Sequence, residues 1–367
     1  MVAPSMSSRM ASGLEQHSAA SDHTLEQPVR RGGVSVVICC HNSGRRLPAV
    51  LAHLAAQQVP DDLPWEVLVI DNASTDDTAA VARMTWPAHI HVPVRVVPEP
   101  KLGLIHARHR GFAEAMYEFV SFIDDDNRVA PDWIKIAAEV MQTHPEVGAC
   151  GGLSEAVFET NPPPWFDRYQ EFYAVGPQGE PGDITWTKGF LWGAGLTIRQ
   201  SAWRQIVKRG FCSTLTGRQG ARLSTGEDVE ISFALRRAGW RLWFEPRLRL
   251  QHFLPQRRLQ WTYLRSLNRA NGAATVSYDP YTLSSKRNSY IFEARRSGHW
   301  RWQALATARD LALNPRRWLR LAFQNEEGDP AVLWIDWRIG RLLELLQRRG
   351  QYDRSVRNLL EAQWSIQ

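Results

Sequence analysis

Three consecutive carboxylates, Asp124-Asp125-Asp126, followed by Asn127, stand directly after the apolar run Phe119 to Ile123. Carboxylates this close repel one another, and burying them at a strand end is costly unless a cation or hydrogen-bond donors compensate. Oxygen donors of this kind suit Mg2+ or Mn2+. A metal ion with open positions would bridge diphosphate oxygens and stabilise charge developing on a leaving group. The bland alternative is a solvated acidic turn before the helix that Pro131 opens. A second acidic pair lies in Ser224-Thr225-Gly226-Glu227-Asp228. Ser224 with Glu227, or Thr225 with Asp228, has capping-box spacing. Capping uses only one of the acids, so the other could face a crevice and act as general base on an acceptor hydroxyl. His252, in Leu250-Gln251-His252-Phe253, is by itself more typical of packing than of ligation. Two aspartates and one imidazole would nevertheless suit Mn2+.

Cys40-His41-Asn42-Ser43-Gly44 follows the first apolar run and contains neither of the glycine-rich phosphate loops. Ordinary dinucleotide dehydrogenases and P-loop kinases are thereby disfavoured. A bound nucleotide would need its phosphates neutralised by metal and by basic groups, for which Lys101 and Arg108 are at hand. In Asp71-Asn72-Ala73-Ser74-Thr75-Asp76-Asp77-Thr78, Ser74 and Asp77 have capping-box spacing and account for a helix start. Asp71 precedes that cap, and at a strand end it could accept the N–H of a pyrimidine base.

These residues need elements to position them. From Val34 short β-branched runs alternate with longer segments of helical period, the signature of strands joined by crossover helices. Strands are expected at Val34–Cys40, Glu66–Ile70, Val94–Val97 and Phe119–Ile123, with helices at Arg45–Gln57, Asp76–Met84 and Ile105–Tyr117, and one from Pro131 to about His144. Continuous apolar strands with helical crossovers mean a mostly parallel sheet covered on both faces, an α/β, Rossmann-like arrangement. Ligands bind outside the carboxyl ends of such strands, so His41-Asn42, Asp71 and Asp124 to Asp126 are expected at one crevice. Further on, Asp228–Ala238 reads as a helix and Trp240–Glu245 and Leu248–Phe253 as closing strands. After Leu259 the chain looks helical and basic, with breaks near Asp279-Pro280 and Glu327 to Pro330.

The 367 residues allow one large domain with an appendage, or two domains, at about 150 residues each. With 44% hydrophobic and 22% charged residues the composition is that of a globular chain. Forty-four basic against 38 acidic side chains leave a net charge of +6, too small to imply nucleic acid. No run is long and apolar enough for a membrane helix, and residues 1–32 lack the apolar centre of a secretory signal. The expectation is a cytoplasmic chain with a disordered N-terminal tail over 1–32. Its four cysteines are read as reduced, mostly buried thiols.

Taken in order, these motifs resemble family 2 glycosyltransferases of the GT-A fold. Val34 to Asn42 is similar to their opening strand, and Val67 to Thr78 to their nucleotide-base strand and turn. Gly103 to Arg108 followed by Gly111 resembles the loop and helix before the metal motif, and Phe122 to Asn127 the D-x-D strand. Trp192-Gly193-Ala194-Gly195 resembles the acceptor-side segment and Gly226-Glu227-Asp228 the E-D motif, so the resemblance covers 33–255. It implies an inverting transfer from a nucleoside diphosphate sugar, with UDP as the expected carrier, to a saccharide or lipid-linked hydroxyl in cell-envelope polysaccharide or glycoconjugate synthesis. It implies Asp228 as general base with Glu227 in support, and Mn2+ or Mg2+ held by Asp124, Asp126 and His252. It places Asp71 at the base and Asp124 and Asp125 at the ribose and diphosphate, with Cys39, His41, Asn42, Lys101 and Arg108 as further donor contacts. Trp192 and Gly193 would meet the acceptor. Many relatives carry Pro at the position of Cys39 and an aromatic at that of His41, which is a departure in this chain. The competing readings are a nucleotidyltransferase and a non-catalytic sugar-binding or scaffold protein on the same fold.

The chain has sixteen tryptophans, many of them in the last third beside arginines. His299-Trp300-Arg301-Trp302, Pro315 to Arg320 and Trp334 to Arg338 alternate aromatic and basic groups, and Ile339, Leu342, Leu343, Leu345 and Leu346 extend an apolar stripe. Two readings of this extension, 256–367, stand side by side. One is an amphipathic helix in a membrane interface at the inner face of the cell membrane. The other is a helical extension packing its tryptophans on the transferase domain or on a second subunit of a homo-oligomer.

Overall fold

The computed structural model describes residues 30–215, 223–284, 298–323 and 326–361. The tail reading over 1–32 therefore lies almost wholly outside the described residues, and the first strand already begins at Arg30. Along that strand, β1 (Arg30–Cys40), Val34, Val36 and Ile38 enter one apolar cluster and Val37 enters a second on the opposite face. The alternation is the two-residue period of a strand. Because both faces are covered, the run reads as continuously apolar in sequence.

Three crossovers repeat this arrangement: α1 (Leu47–Ala55), β2 (Trp65–Asn72), α2 (Thr78–Thr85), β3 (Val94–Glu99), α3 (Leu104–Glu114) and β4 (Tyr117–Phe122). There follow β5 (Asn127–Val129), α4 (Trp133–Thr143), β6 (Val147–Phe158), α5 (Phe166–Tyr169), β7 (Gly182–Asp183), β8 (Leu196–Arg199), α6 (Gln200–Lys208), α7 (Glu227–Arg237) and β9 (Arg241–Leu254). The sheet order is β3-β2-β1-β4-β8-β6-β9-β5, with β7 on β9. β3, β2, β1 and β4 run parallel, as expected, whereas β8 is antiparallel to both of its neighbours and β5 is antiparallel to β9. α1 and α4 cover one face through Leu47, Leu51, Trp133 and Ile134; α3, α6 and α7 cover the other through Phe112, Trp203 and Ile231.

Several local expectations are corrected. The two closing strands are one, β9, which continues through Pro246 because its parallel pairing with β6 shifts register between Gly151 and Leu153. A proline without an N–H is tolerated at such an irregularity. α2 starts at Thr78 with no side-chain cap. Asp76 instead accepts hydrogen bonds from the backbone N–H groups of Thr78 and Gly44, both at 3.1 Å, and Ser74 Oγ accepts from Asn42 N. The capping chemistry there ties two loops together instead of closing a box.

The extension is helical: α8 (Trp261–Ser284), α9 (Trp300–Ala312), α10 (Pro315–Phe323), α11 (Pro330–Gln347) and α12 (Arg349–Glu361). α8 passes through Pro280, so the break expected at Asp279-Pro280 is absent. α11 lies against α8 at backbone distance: a Cβ on Gly272 would meet the Trp337 carbonyl oxygen at 1.9 Å, and one on Gly340 the Arg269 carbonyl oxygen at 1.9 Å. Asp336, fully buried, receives Arg265 at 2.7 Å and Arg269 from α8. Much of the aromatic-basic alternation of α11 thus packs internally, with Trp334 between Arg317 and Arg338, whose guanidiniums lie 4.2 and 3.7 Å from its ring centroid. Replacing Gly272 by Leu should force the two helices apart at a cost of about 1–3 kcal/mol, the usual range for overpacking. Thermal unfolding of Gly272→Leu checks this, and a melting temperature equal to that of the parent would contradict the close approach.

Candidate active site

The carboxyl ends of β1, β2 and β4 open onto one cavity of about 1540 Å³. Cys39, His41, Asn42, Arg108, Asp124, Asp125, Asp126, Trp192, Gly193, Glu227, Asp228 and His252 line it. Residues from six separate stretches of sequence therefore meet at one place. Asp71 and Lys101 are not on its wall, although Asn72 is. The Asn72 side chain donates to the Lys101 carbonyl at 2.7 Å and accepts from Gly103 N at 2.8 Å, which fixes the loop backbone while the Lys101 side chain is exposed. One Asp71 oxygen, Oδ1, is buried without a hydrogen-bond partner.

β-pairing explains how a distant histidine reaches the acidic strand end. Asn127 on β5 is the register partner of His252 on β9, and Phe253 N donates to the Asp126 carbonyl at 2.9 Å. His252 Nε2 consequently lies 3.6 Å from Asp126 Oδ1. Between them sits Arg258, which the sequence reading did not single out: it donates to Asp126 Oδ2 at 2.9 Å and lies 3.1 Å from His252 Nε2 through Nη1. A guanidinium has no lone pair to offer, so in this contact Arg258 is the donor and His252 Nε2 the acceptor. Burial opposes the charge on Arg258, but Asp126 and the neighbouring acids outweigh it and hold its pKa above the ordinary value.

Burial, and then the charge of Asp126, push Asp124 up from the ordinary 3.8 to about 7, although Arg108 and His252 pull the other way. The arginines present do not fully offset the buried negative charge. Two carboxylates and an imidazole converge here, donor types that suit a divalent cation. No group of three or more His, Cys, Asp or Glu among the described residues is already arranged as a metal cage, and the Arg258 guanidinium fills the gap between Asp126 and His252. Asp125 is differently engaged: Ser43 Oγ and Arg46 both donate to its Oδ2 and tie it to the loop after β1.

Across the cavity Gly226, in a left-handed conformation with φ 94°, precedes α7 without any side-chain cap. The capping reading of Ser224 and Thr225 is thereby corrected; Thr225 Oγ1 donates to Asn271 instead. Gly193 N donates to Asp228 Oδ2 at 2.6 Å, and Glu227 forms a buried ion pair with Arg108 at 3.4 Å. A Cβ on Gly193 would meet Arg108 Nη2 at 2.5 Å and Asp228 Oδ2 at 3.3 Å, so a larger residue there would displace the Arg108 guanidinium. Tyr278 from α8 donates to the Gly226 carbonyl at 3.1 Å, and Leu267, Asn271, Thr275 and Trp337 add to the same wall. The extension is part of the cavity, which periodicity could not reveal because those residues are spaced by helix packing. A cue for Arg258 did exist, in the Arg257-Arg258 doublet six residues beyond His252. Lys188 Nζ, 3.5 Å from the Trp192 ring centroid, is brought down by burial to about 8 against the pull of Glu171 and Asp228. Cys39 is held by burial at about 12, a thiol and not a nucleophile at neutral pH.

The fold with an acidic β4 end, an antiparallel β8 and helices on both faces is that of the GT-A glycosyltransferases. It superposes on the mannosyltransferase PcManGT from Pyrobaculum calidifontis, solved in complex with GDP-Man and Mn2+, with a TM-score of 0.51 over 86% of both chains at 18% identity. Residues 35–207 match the family model for glycosyl transferase family 2. Among curated relatives it is 39% identical over 108 residues to an uncharacterized glycosyltransferase of Mycobacterium tuberculosis, spanning 29% of this chain and 43% of that protein. It is 25% identical over 231 residues to the succinoglycan biosynthesis protein ExoM of Rhizobium meliloti, spanning 63% of this chain and 70% of ExoM.

Two outcomes follow from the buried charge. The folded chain holds the Asp124 proton more tightly than the unfolded chain, so the metal-free protein loses stability from this group as pH rises from 3.8 to about 7. Asp124→Asn should raise the metal-free melting temperature at pH 8 and leave it nearly unchanged at pH 4; equal shifts at both pH values would contradict the burial argument. Arg258→Gln should tighten Mn2+ binding in the absence of nucleotide by roughly tenfold, equivalent to about 1.4 kcal/mol. Electron paramagnetic resonance of free Mn2+ checks this, and unchanged affinity would mean that the guanidinium and the ion do not compete.

Proposed function

We propose that this chain is an inverting, metal-dependent glycosyltransferase that moves a hexosyl or N-acetylhexosaminyl group from a nucleoside diphosphate sugar to a hydroxyl acceptor. The observation that carries the reading is the Asp228 carboxylate, fixed by Gly193 N, facing the same cavity as Asp124, Asp126 and His252. Asp228 takes the proton from the acceptor hydroxyl as its oxygen bonds to the anomeric carbon. The bond from that carbon to the diphosphate breaks on the opposite side, and configuration inverts. A divalent ion, Mn2+ or Mg2+, held by Asp126 and His252 beside Asp124 would supply the charge that stabilises the departing diphosphate. Arg108 and Glu227 hold the acidic loop in place, and positioning with fixed charge accounts for most of the rate.

The nucleobase is assigned to the end of β2, where Asn72 lines the cavity and Asp71 Oδ1 lies buried behind the wall without a partner. UDP is the proposed carrier by family resemblance, with the guanosine carrier of PcManGT as its competitor. The acceptor is proposed to be a saccharide or lipid-linked sugar of the cell envelope, a reading supported by the similarity to a succinoglycan biosynthesis protein, ExoM. Lys188, Trp192 and Phe190 would meet it, aromatic faces and a cation being suited to sugar rings and anionic groups.

Donors are to be screened as UDP- and GDP-sugars with Mn2+ or Mg2+, following transfer and the anomeric configuration of the product. Asp228→Asn should keep donor binding and lose roughly 10²–10⁴-fold in turnover. A retained product configuration, or full turnover by Asp228→Asn, would contradict the assignment of the base.

A further inference from the structure

The aromatic-basic segments of the extension take different positions. α11 is internal, but α10 has no buried residue and α9 buries only Ala304, Thr307 and Leu311. Trp302, Leu305, Arg309 and Leu313 recur at helical spacing along α9 and its C-cap and are all exposed. In α10 the turn of about 100° per residue groups the charges on one side, with Phe323 bordering them. Arg316, Arg317 and Arg320 share one arc, and Trp318, Leu319, Ala322 and Phe323 lie on the other. Arg317 stacks inward on Trp334 of α11, and Trp318 Nε1 donates to the Leu311 carbonyl at 3.0 Å, which fixes α10 against α9. With those contacts the helix turns Leu319 and Phe323 outward; they are 56% and 82% exposed. Large apolar side chains this exposed, clustered on consecutive helices, mark an interaction surface.

Charge identifies the occupant. The stretch from Trp300 to Phe323 carries five arginines against one acid, Asp310, whose carboxylate is already held by Arg338 at 3.2 Å. Arg309, Arg316 and Arg320 are exposed beside the apolar arc. Apolar side chains rimmed by arginines match the interface of an anionic bilayer, where acyl chains receive the former and head-group phosphates the latter. Among the described residues no helix is long and apolar enough to cross a membrane. We infer that the α9–α10 face is a peripheral docking surface for anionic lipid membranes, with Leu319 and Phe323 entering the interface and Arg316 and Arg320 contacting head groups. The surface shares no residue with the cavity, so it stands or falls independently of the proposed transfer.

The test is co-sedimentation of the full chain with vesicles of phosphatidylglycerol and phosphatidylcholine, without donor or metal. Binding is expected to the mixed vesicles, to fall with added salt, and to be weak on phosphatidylcholine alone. Leu319→Ser with Phe323→Ser, and separately Arg316→Glu with Arg320→Glu, should each weaken binding by roughly tenfold or more. Their hydrolysis of donor in solution should be unchanged, since these side chains touch neither the cavity nor the core. Sedimentation independent of vesicle charge, or variants binding as well as the parent, overturns the proposal. So does a dimer in solution that the Leu319→Ser and Phe323→Ser pair dissolves while vesicle binding persists, because the face would then belong to a second copy of the chain.

Discussion

Uncompensated negative charge at the end of β4 is the constraint around which the rest of the molecule is arranged. Asp124 and Asp126 are withdrawn from water, where ionised carboxylates are costly unless paired. Arg258 pairs with Asp126, and Arg108, itself buried, lies near Asp124 and in an ion pair with Glu227. Asp124 remains displaced upward from its ordinary value even so. A fold selected for stability alone would replace such a cluster with apolar side chains. Its presence at the end of a mostly apolar strand is intelligible where a cation and an anionic leaving group complete the balance of charge.

The sheet brings the parts of this cluster together by pairing, and the glycines decide how close they come. β5 lies antiparallel to β9 and places His252 beside Asp126. Gly193 leaves room for the Arg108 guanidinium while its N–H holds the Asp228 carboxylate, and Gly226, left-handed before α7, leaves room for Tyr278. α8 in turn is held by α11 through Gly272 and Gly340, so the helices that close the cavity are anchored by backbone contact and by the buried Asp336. The extension thus has two aspects: an inner one that forms part of the site wall, and an outer one, α9 and α10, whose apolar and basic side chains face away from it.

Much of this was legible in the chain before any coordinates. Runs such as Val34 to Ile38 announce strands covered on both faces, and strands ending in His41-Asn42, Asp71 and Asp124 predict a shared crevice; the cavity wall includes the first and third ends and, at the second, Asn72 in place of Asp71. Other features were hidden for identifiable reasons. The gap expected between Glu245 and Leu248 is absent because the register shift opposite Gly152 accommodates Pro246, which cannot donate in a ladder. Ser74 and Ser224 looked like caps because capping spacing is local, while their loops are held by contacts from distant segments such as Asn42 and Tyr278. Arg258 went unassigned because the Arg257-Arg258 doublet marks a basic site without saying which carboxylate it will meet. The tryptophans of the extension were ambiguous for the same reason: alternation of aromatic and basic residues is common to internal cation–π packing, as at Trp334, and to an exposed amphipathic face, as in α10.

The most direct measurement is calorimetric titration of UDP and GDP into the full chain, in Mn2+ and again in EDTA, with Asp126→Ala alongside. The account predicts that one of the two nucleotides binds at least roughly tenfold more tightly with the ion, and that Asp126→Ala abolishes the difference. Equal affinity in Mn2+ and EDTA, with Asp126→Ala indistinguishable from the parent, would contradict the claim that the buried acids hold a cation for a nucleoside diphosphate.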